Sequence, residues 1–167
     1  MIKRILRIIV LFFITTYSMG SVMFYEPLSG RKPPGSRRNV DTDLEVYVKR
    51  FEDLWGQKIS FPVLFNHLPE MTAGRCTYWF LGDKVIEVDI LYFYKLSDLG
   101  KEQLVFHELG HCALKRYSHD DSRVVFNKEK HSCSKTVMKS SIFDHQEMYC
   151  YQKYRQYYID ELFGRIK

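Results

Sequence analysis

An α+β domain is the fold class this sequence predicts, on three observations. Apolar side chains recur at helical spacing near residues 44–55 and 104–113, and again toward residue 162. Between the first two stretches, Cys76 to Phe80 and Val85 to Ile90, the second alternating in period two, flank Gly82-Asp83, which marks a β-hairpin. The chain has 167 residues, 46% of them hydrophobic, with 12 Tyr and 12 Phe, enough for one real core. The expected architecture is a small twisted mixed sheet with an N-terminal helix, a second helix bearing two histidines, and a C-terminal helix.

Residues 1–20 stand apart from that domain. Lys3, Arg4 and Arg7 precede an apolar run from Ile8 to Ile14, and Ser18 and Gly20 follow. This is the order of a secretory signal peptide. The run is shorter than the roughly 20 apolar residues of a membrane span, so an uncleaved anchor is the competing reading. Residues 21–40 are rich in Pro, Gly and basic side chains and read as a flexible linker, which leaves 41–167 as the folded domain. Without residues 1–20 the formal net charge falls from +5 to +2. That balance argues against a nucleic-acid partner and confines membrane contact to an uncleaved N-terminal segment.

The elements follow in order. Thr42 and Glu45 have capping-box spacing, Leu44, Tyr47, Val48, Phe51, Leu54 and Trp55 form one apolar stripe, and Gly56 is a stop. Phe61 to Phe65 is a short strand in which Pro62 suits an edge or a strand start. Cys76 to Phe80 and Val85 to Ile90 are the hairpin arms, with Glu87 and Asp89 on the wet face of the second. Ser97 or Asp98 caps a helix running to about Lys115. A polar loop spans Arg116 to about Thr136, and Asp144 with Glu147 caps a last helix carrying Tyr154, Tyr157, Tyr158 and Leu162.

The most informative segment is His107-Glu108-Leu109-Gly110-His111, an H-E-x-x-H pattern. On a helix, residues i and i+4 share a face, so His107 and His111 can reach one Zn²⁺. Glu108, about 100° round the helix, is placed as general base toward a zinc-activated water rather than as a ligand. The expected chemistry is peptide-bond hydrolysis with one catalytic zinc ion, acting on protein or peptide substrates. A catalytic zinc takes three protein ligands, so one more must lie downstream. His119 is the first candidate; His131, His145, Glu129 and Glu147 are rivals. A glutamate ligand would give a gluzincin-like site. A fourth protein ligand would close the site and make the chain a non-catalytic zinc-containing binding protein.

The segments VFHELGHCALKRYSHDD, SKTVMKSS and YYIDELF, within residues 74–163, resemble bacterial secreted metallopeptidases of metzincin or matrixin-like type. The resemblance implies His119 as third ligand, Met138 as the methionine in a tight turn below the metal, and Val85 to Ile90 as the substrate-aligning edge strand. Two departures stand out. In the usual H-E-x-x-H-x-x-G-x-x-H pattern, the glycine position falls on Leu114 and the third histidine on Tyr117, two residues before His119.

Cys76, Cys112, Cys133 and Cys150 are an even set without a C-x₂₋₄-C knuckle, which favours disulfides over cysteine zinc ligands. The expected pairs are Cys76 with Cys112, tying hairpin to histidine helix, and Cys133 with Cys150, closing the Met138 loop. Paired cysteines and the N-terminal signal together predict an exported protein, periplasmic or extracellular.

Overall fold

A three-stranded mixed sheet and the helices packed on it make up the computed structural model, which describes residues 37–69, 71–79, 82–126 and 132–166. The expected signal segment, residues 21–36 of the expected linker, Phe80, Glu129 and His131 lie outside the described residues. The α+β class expected from sequence is the class observed.

Helix α1 spans Thr42–Trp55 and ends at Gly56, whose left-handed backbone (φ 78°) lets its N–H bond the Glu52 carbonyl. The Thr42–Glu45 capping box does not form. Asp41 is the N-cap, and its carboxylate is drawn off to accept the Phe65 N–H at 2.6 Å. Glu45 instead pairs with Arg38. The folded region also begins earlier than residue 41, because Val40 bridges Val63 and Asn39 accepts the Val63 N–H.

Strands β1 (Val63–Asn66), β2 (Gly74–Tyr78) and β3 (Lys84–Asp89) follow in the order β1-β3-β2. β1 runs parallel to β3, and β2 runs antiparallel to it through the hairpin. This corrects the expected role of Val85 to Ile90 as an edge strand. β3 is central, because Val85, Ile86 and Val88 are all buried and the segment after α1 pairs along its other side. The edges are β1, partly covered by residues 39–41, and β2. In β2 the odd residues pair with β3, as Asp89 N–H to Ala73 O and Trp79 N–H to Asp83 O require. Gly74, Cys76 and Tyr78 therefore turn their backbone polar groups to the open edge. Glu87 bonds Arg75 and Asn66, and Asp89 caps the short helix α2 (Ile90–Phe93), so neither strand carboxylate approaches the histidines.

Helix α3, Asp98–Cys112, is N-capped by Ser97 and packs on α1, β2 and β3. Its last carbonyls are taken by side chains from the hairpin: Tyr78 Oη donates to His111 O and Lys84 Nζ to Cys112 O, both at 2.6 Å. Two short strands, β4 (Arg123–Val124) and β5 (Cys133–Ser134), then pair within the segment expected to be loop. The expected last helix is two: α4 (His145–Lys153), opened by the Asp144–Glu147 capping box, and α5 (Arg155–Leu162). The break falls at Tyr154 (φ −117°, ψ 30°), whose ring stacks on Phe126.

The structure forms two disulfides, Cys76–Cys112 and Cys133–Cys150. The core beneath the sheet and helices includes Leu44, Phe51, Ile86, Phe106, Leu109 and Tyr158, each worth about 1.5–3 kcal/mol on full burial. Glu102 of α3, also buried, joins the helical elements. It accepts from Arg50 of α1 (3.2 Å), Tyr151 of α4 (3.0 Å) and Arg155 of α5 (2.6 Å).

Candidate metal centre

His107 and His111 project from one side of α3, as their i, i+4 spacing requires, and the chain returns after the helix to bring His119 against them. The Nε2–Nε2 separations are 3.0 Å (His107–His111), 3.1 Å (His111–His119) and 3.3 Å (His119–His107). Nitrogens bound at about 2.0–2.1 Å in tetrahedral geometry lie about 3.3 Å apart, so the triangle has the size of a metal site.

Protonation makes the case stronger than distance. His107 donates Nδ1–H to the Val137 carbonyl at 2.8 Å, and His111 donates its own to the Arg116 carbonyl at 2.5 Å. With the ring protons there, both Nε2 atoms present lone pairs to one another. Burial pushes the His107 pKa down to about 3, helped by the neighbouring His111 and opposed by the Val137 carbonyl. Burial likewise takes His111 to about 4, and lowers His119 against the pull of Asp121. The facing lone pairs of His107 and His111 repel unless a proton from His119 or a metal ion lies between them. The residues fit a metal ion.

The path to His119 explains its spacing. After Cys112 the helix does not simply stop; Leu114 N–H bonds Leu109 O and Arg116 N–H reaches Gly110 O, six residues back. Lys115 takes the left-handed conformation (φ 59°), one residue after the glycine position of the usual pattern. This wider exit absorbs the two extra residues. Tyr117, at the usual ligand position, is exposed and packs its ring against Tyr78. His119 is then fixed by its neighbours: Asp120 N–H bonds Met138 O, and the Asp121 carboxylate accepts from Ser140.

Glu108 is buried on the same helix. Burial raises its carboxyl pKa to about 8, offset in part by a hydrogen bond from the Cys76 backbone. That N–H lies on the open edge of β2. Beside it, a Cβ built on Gly74 would sit 2.6 Å from Glu108 Oε1, so the carboxylate occupies space that any other residue at position 74 would fill.

A family model described as "Putative phage metallopeptidase" matches residues 46–166, the span from α1 through α5 that contains all three histidines. The chain belongs to this family. No curated protein and no solved structure matches it.

For a member of the phage metallopeptidase family, the remaining candidate residues sort by position. Met138 is fully buried, and its Sδ lies so close to Gly110 that a Cβ there would collide with it. Its loop supplies the Val137 carbonyl to His107. Glu147 is buried in a network of its own, accepting from Ser134 (2.7 Å), Lys139 (2.9 Å) and Arg123 (3.1 Å). His145 is exposed at the start of α4, outside the histidine group. All four cysteines are paired, so none is left as a ligand.

Sequence reasoning missed four contributors. The carbonyls of Val137 and Arg116 carry no side-chain signal at all. Gly74 had one: a glycine inside a strand marks a close approach. Glu161, in the quoted YYIDELF segment, grips Arg116 through a forked ion pair with a shortest contact of 2.6 Å.

Proposed function

We propose that this protein is an exported zinc-dependent endopeptidase holding one catalytic zinc in a metzincin-like site. The observation that carries the reading is the convergence of three neutral imidazoles beside a buried carboxylate that has no cationic partner among the described residues. Three nitrogen donors, with no fourth in the group among the described residues, suit a catalytic zinc better than a closed structural one. When bound, zinc supplies Lewis-acid polarisation of the scissile carbonyl and activation of a water.

The rest of the chemistry belongs to the chain. His107, His111 and His119 bind through Nε2, with the first two held in the ligating tautomer by the Val137 and Arg116 carbonyls. Glu108 takes the proton of the attacking water and returns it to the leaving amine. Its dry surroundings raise its proton affinity, which suits a group that must accept a proton and then give it back. The edge of β2, beside Glu108, takes the aligning role first expected of Val85 to Ile90: an extended protein or peptide substrate pairs with the backbone of Gly74 and Tyr78 and the Cys76 carbonyl, the Cys76 N–H being held by Glu108. Met138, packed beneath Gly110, serves as the methionine under the metal. The disulfides and the 1–20 pattern support export, with the segment from about residue 39 onward as the catalytic domain and residues 1–20 as signal peptide or anchor.

The test is cleavage of a mixed peptide library by the oxidised, zinc-loaded protein. Activity should vanish with a chelator, return with zinc, and be absent from Glu108→Gln, which should still bind the metal. Well-folded, zinc-loaded protein that cuts nothing would overturn the endopeptidase assignment.

A further inference from the structure

We infer that Glu161 is a positioning residue for the metal centre: one carboxylate on α5 sets the orientation of both helix histidines through two backbone carbonyls. The inference rests on the zinc-site reading above and deepens it.

The first arm runs through Arg116. Glu161 Oε1 accepts from Arg116 Nη2 at 2.6 Å and Oε2 from Nη1 at 3.1 Å, a two-toothed grip. Nη1 also donates to the carbonyls of Glu161 and Leu162 at the end of α5 (3.1 and 3.3 Å). The side chain of Arg116 is therefore fixed at its tip, and its own carbonyl receives the His111 Nδ1–H.

The second arm runs through Thr136, which is fully buried. Its hydroxyl donates to Glu161 Oε2 at 2.5 Å, and the same oxygen accepts the Met138 N–H at 3.0 Å. The Met138 N–H and the Val137 C=O belong to one planar peptide unit. A hydroxyl that fixes the N–H side of that plane also fixes the C=O side, which receives the His107 Nδ1–H. By taking the Thr136 proton, Glu161 fixes the rotation of the hydroxyl, and so the direction in which its lone pair faces the Met138 N–H.

Groups that bond a metal-ligating histidine directly typically change metal affinity by about 10–100-fold when removed; Glu161 acts one link further out, so its loss belongs at the low end of that range. A purely structural clamp between α5 and the loop would change stability without changing affinity. Glu102, which ties α1, α3, α4 and α5 without touching either orienting segment, supplies the contrast.

The experiment measures zinc affinity by competition with a chromophoric chelator, and the visible spectrum of the cobalt-substituted protein, alongside the Tm of the metal-free form. Wild-type binding that is lost in His107→Ala establishes the site independently. Glu161→Gln and Thr136→Val should each weaken zinc binding by roughly 10-fold and shift the cobalt bands. Thr136→Ser, which keeps the hydroxyl, should restore near-normal affinity, and Glu102→Gln should lower Tm while leaving affinity within about twofold. If Glu161→Gln does not fold, Thr136→Val against Thr136→Ser decides the matter. Wild-type affinity and spectrum in Thr136→Val, or in a folded Glu161→Gln, would overturn the inference and leave the zinc reading intact. A wild-type protein without zinc affinity would overturn both.

Discussion

Glu108 and Glu147 are both buried glutamates on the metal-bearing half of the chain, and their surroundings are opposite. Glu147 meets two cations and a hydroxyl: burial would raise its pKa, but Ser134, Lys139 and the Asp144 N–H hold it below the usual carboxylate range. Among the described residues, the Glu108 carboxylate has a backbone N–H and the bare Cα of Gly74 beside it and no cation, and burial pushes it up to about 8. A buried carboxyl without a cationic partner is costly to ionise and is held largely in its neutral form, so natural cores seldom keep one for structure alone. The difference separates the carboxylate proposed to react from one that holds the fold. It also disfavours Glu147 as a metal ligand, since its oxygens are occupied by Ser134, Lys139, Arg123 and the Asp144 N–H.

The sharpest way to break this contrast is to make the same substitution at both positions. Glu108→Gln should lower kcat/KM by about 10³-fold or more, within the range of a general base, while Tm stays level or rises. Glu147→Gln should do the reverse. It leaves the Lys139 and Arg123 charges against a neutral amide, and breaking a buried pair costs about 3–5 kcal/mol. Arg123 is 41% exposed and can be solvated, so we expect about 2–3 kcal/mol, read as a lower Tm in a protein that still binds metal. Equal losses of stability in the two variants would erase the distinction.

Acid sharpens it further. The folded-state pKa of Glu147 lies below its unfolded value, so its contribution is complete above the ordinary glutamate range and is lost as pH falls through the depressed value. The stability gap between wild type and Glu147→Gln should accordingly be constant near neutrality and close below about pH 4.5. Denaturant titrations at a series of pH values measure it. A gap that widens on acidification would mean that Glu147 is not held in its charged form.

What the sequence made legible follows local rules. The His107–His111 spacing, the stop at Gly56, the Ser97 cap and the Asp144–Glu147 box are decided within a turn or two of chain, and the structure follows them. What stayed hidden depends on distant partners. Asp41 displaces Thr42 as the cap because Asp41 also serves Phe65, 24 residues away. β3 becomes central because β1 reaches it in parallel, a pairing that alternation within 85–90 does not encode. The helix break at Tyr154 has no glycine or proline to announce it. At the site, His119 could be nominated by type and proximity, but the left-handed Lys115 that makes its spacing workable is not a residue from which φ > 0 would be read.

The last and smallest expected effect tests whether the emptiness of position 74 serves Glu108. Gly74 is not in the left-handed region, so alanine can take its backbone conformation. Alanine there stiffens the unfolded chain, worth about 0.4–1 kcal/mol in favour of the fold. Against this, its Cβ would sit 2.6–2.9 Å from Glu108 Oε1, Cγ and Cδ, so the whole buried side chain and not only its tip must shift. The clash outweighs the gain, and Tm should fall by a few degrees. Activity should not be spared, because a displacement of about 1 Å in a catalytic group can cost about 10²-fold in rate. We therefore expect Gly74→Ala to bind zinc as wild type does, melt a few degrees below it, and lose about 10²-fold in kcat/KM. Full activity in that variant would mean that Glu108 leaves the β2 edge before it reacts, and that its partnerless resting place is not the geometry that matters for catalysis.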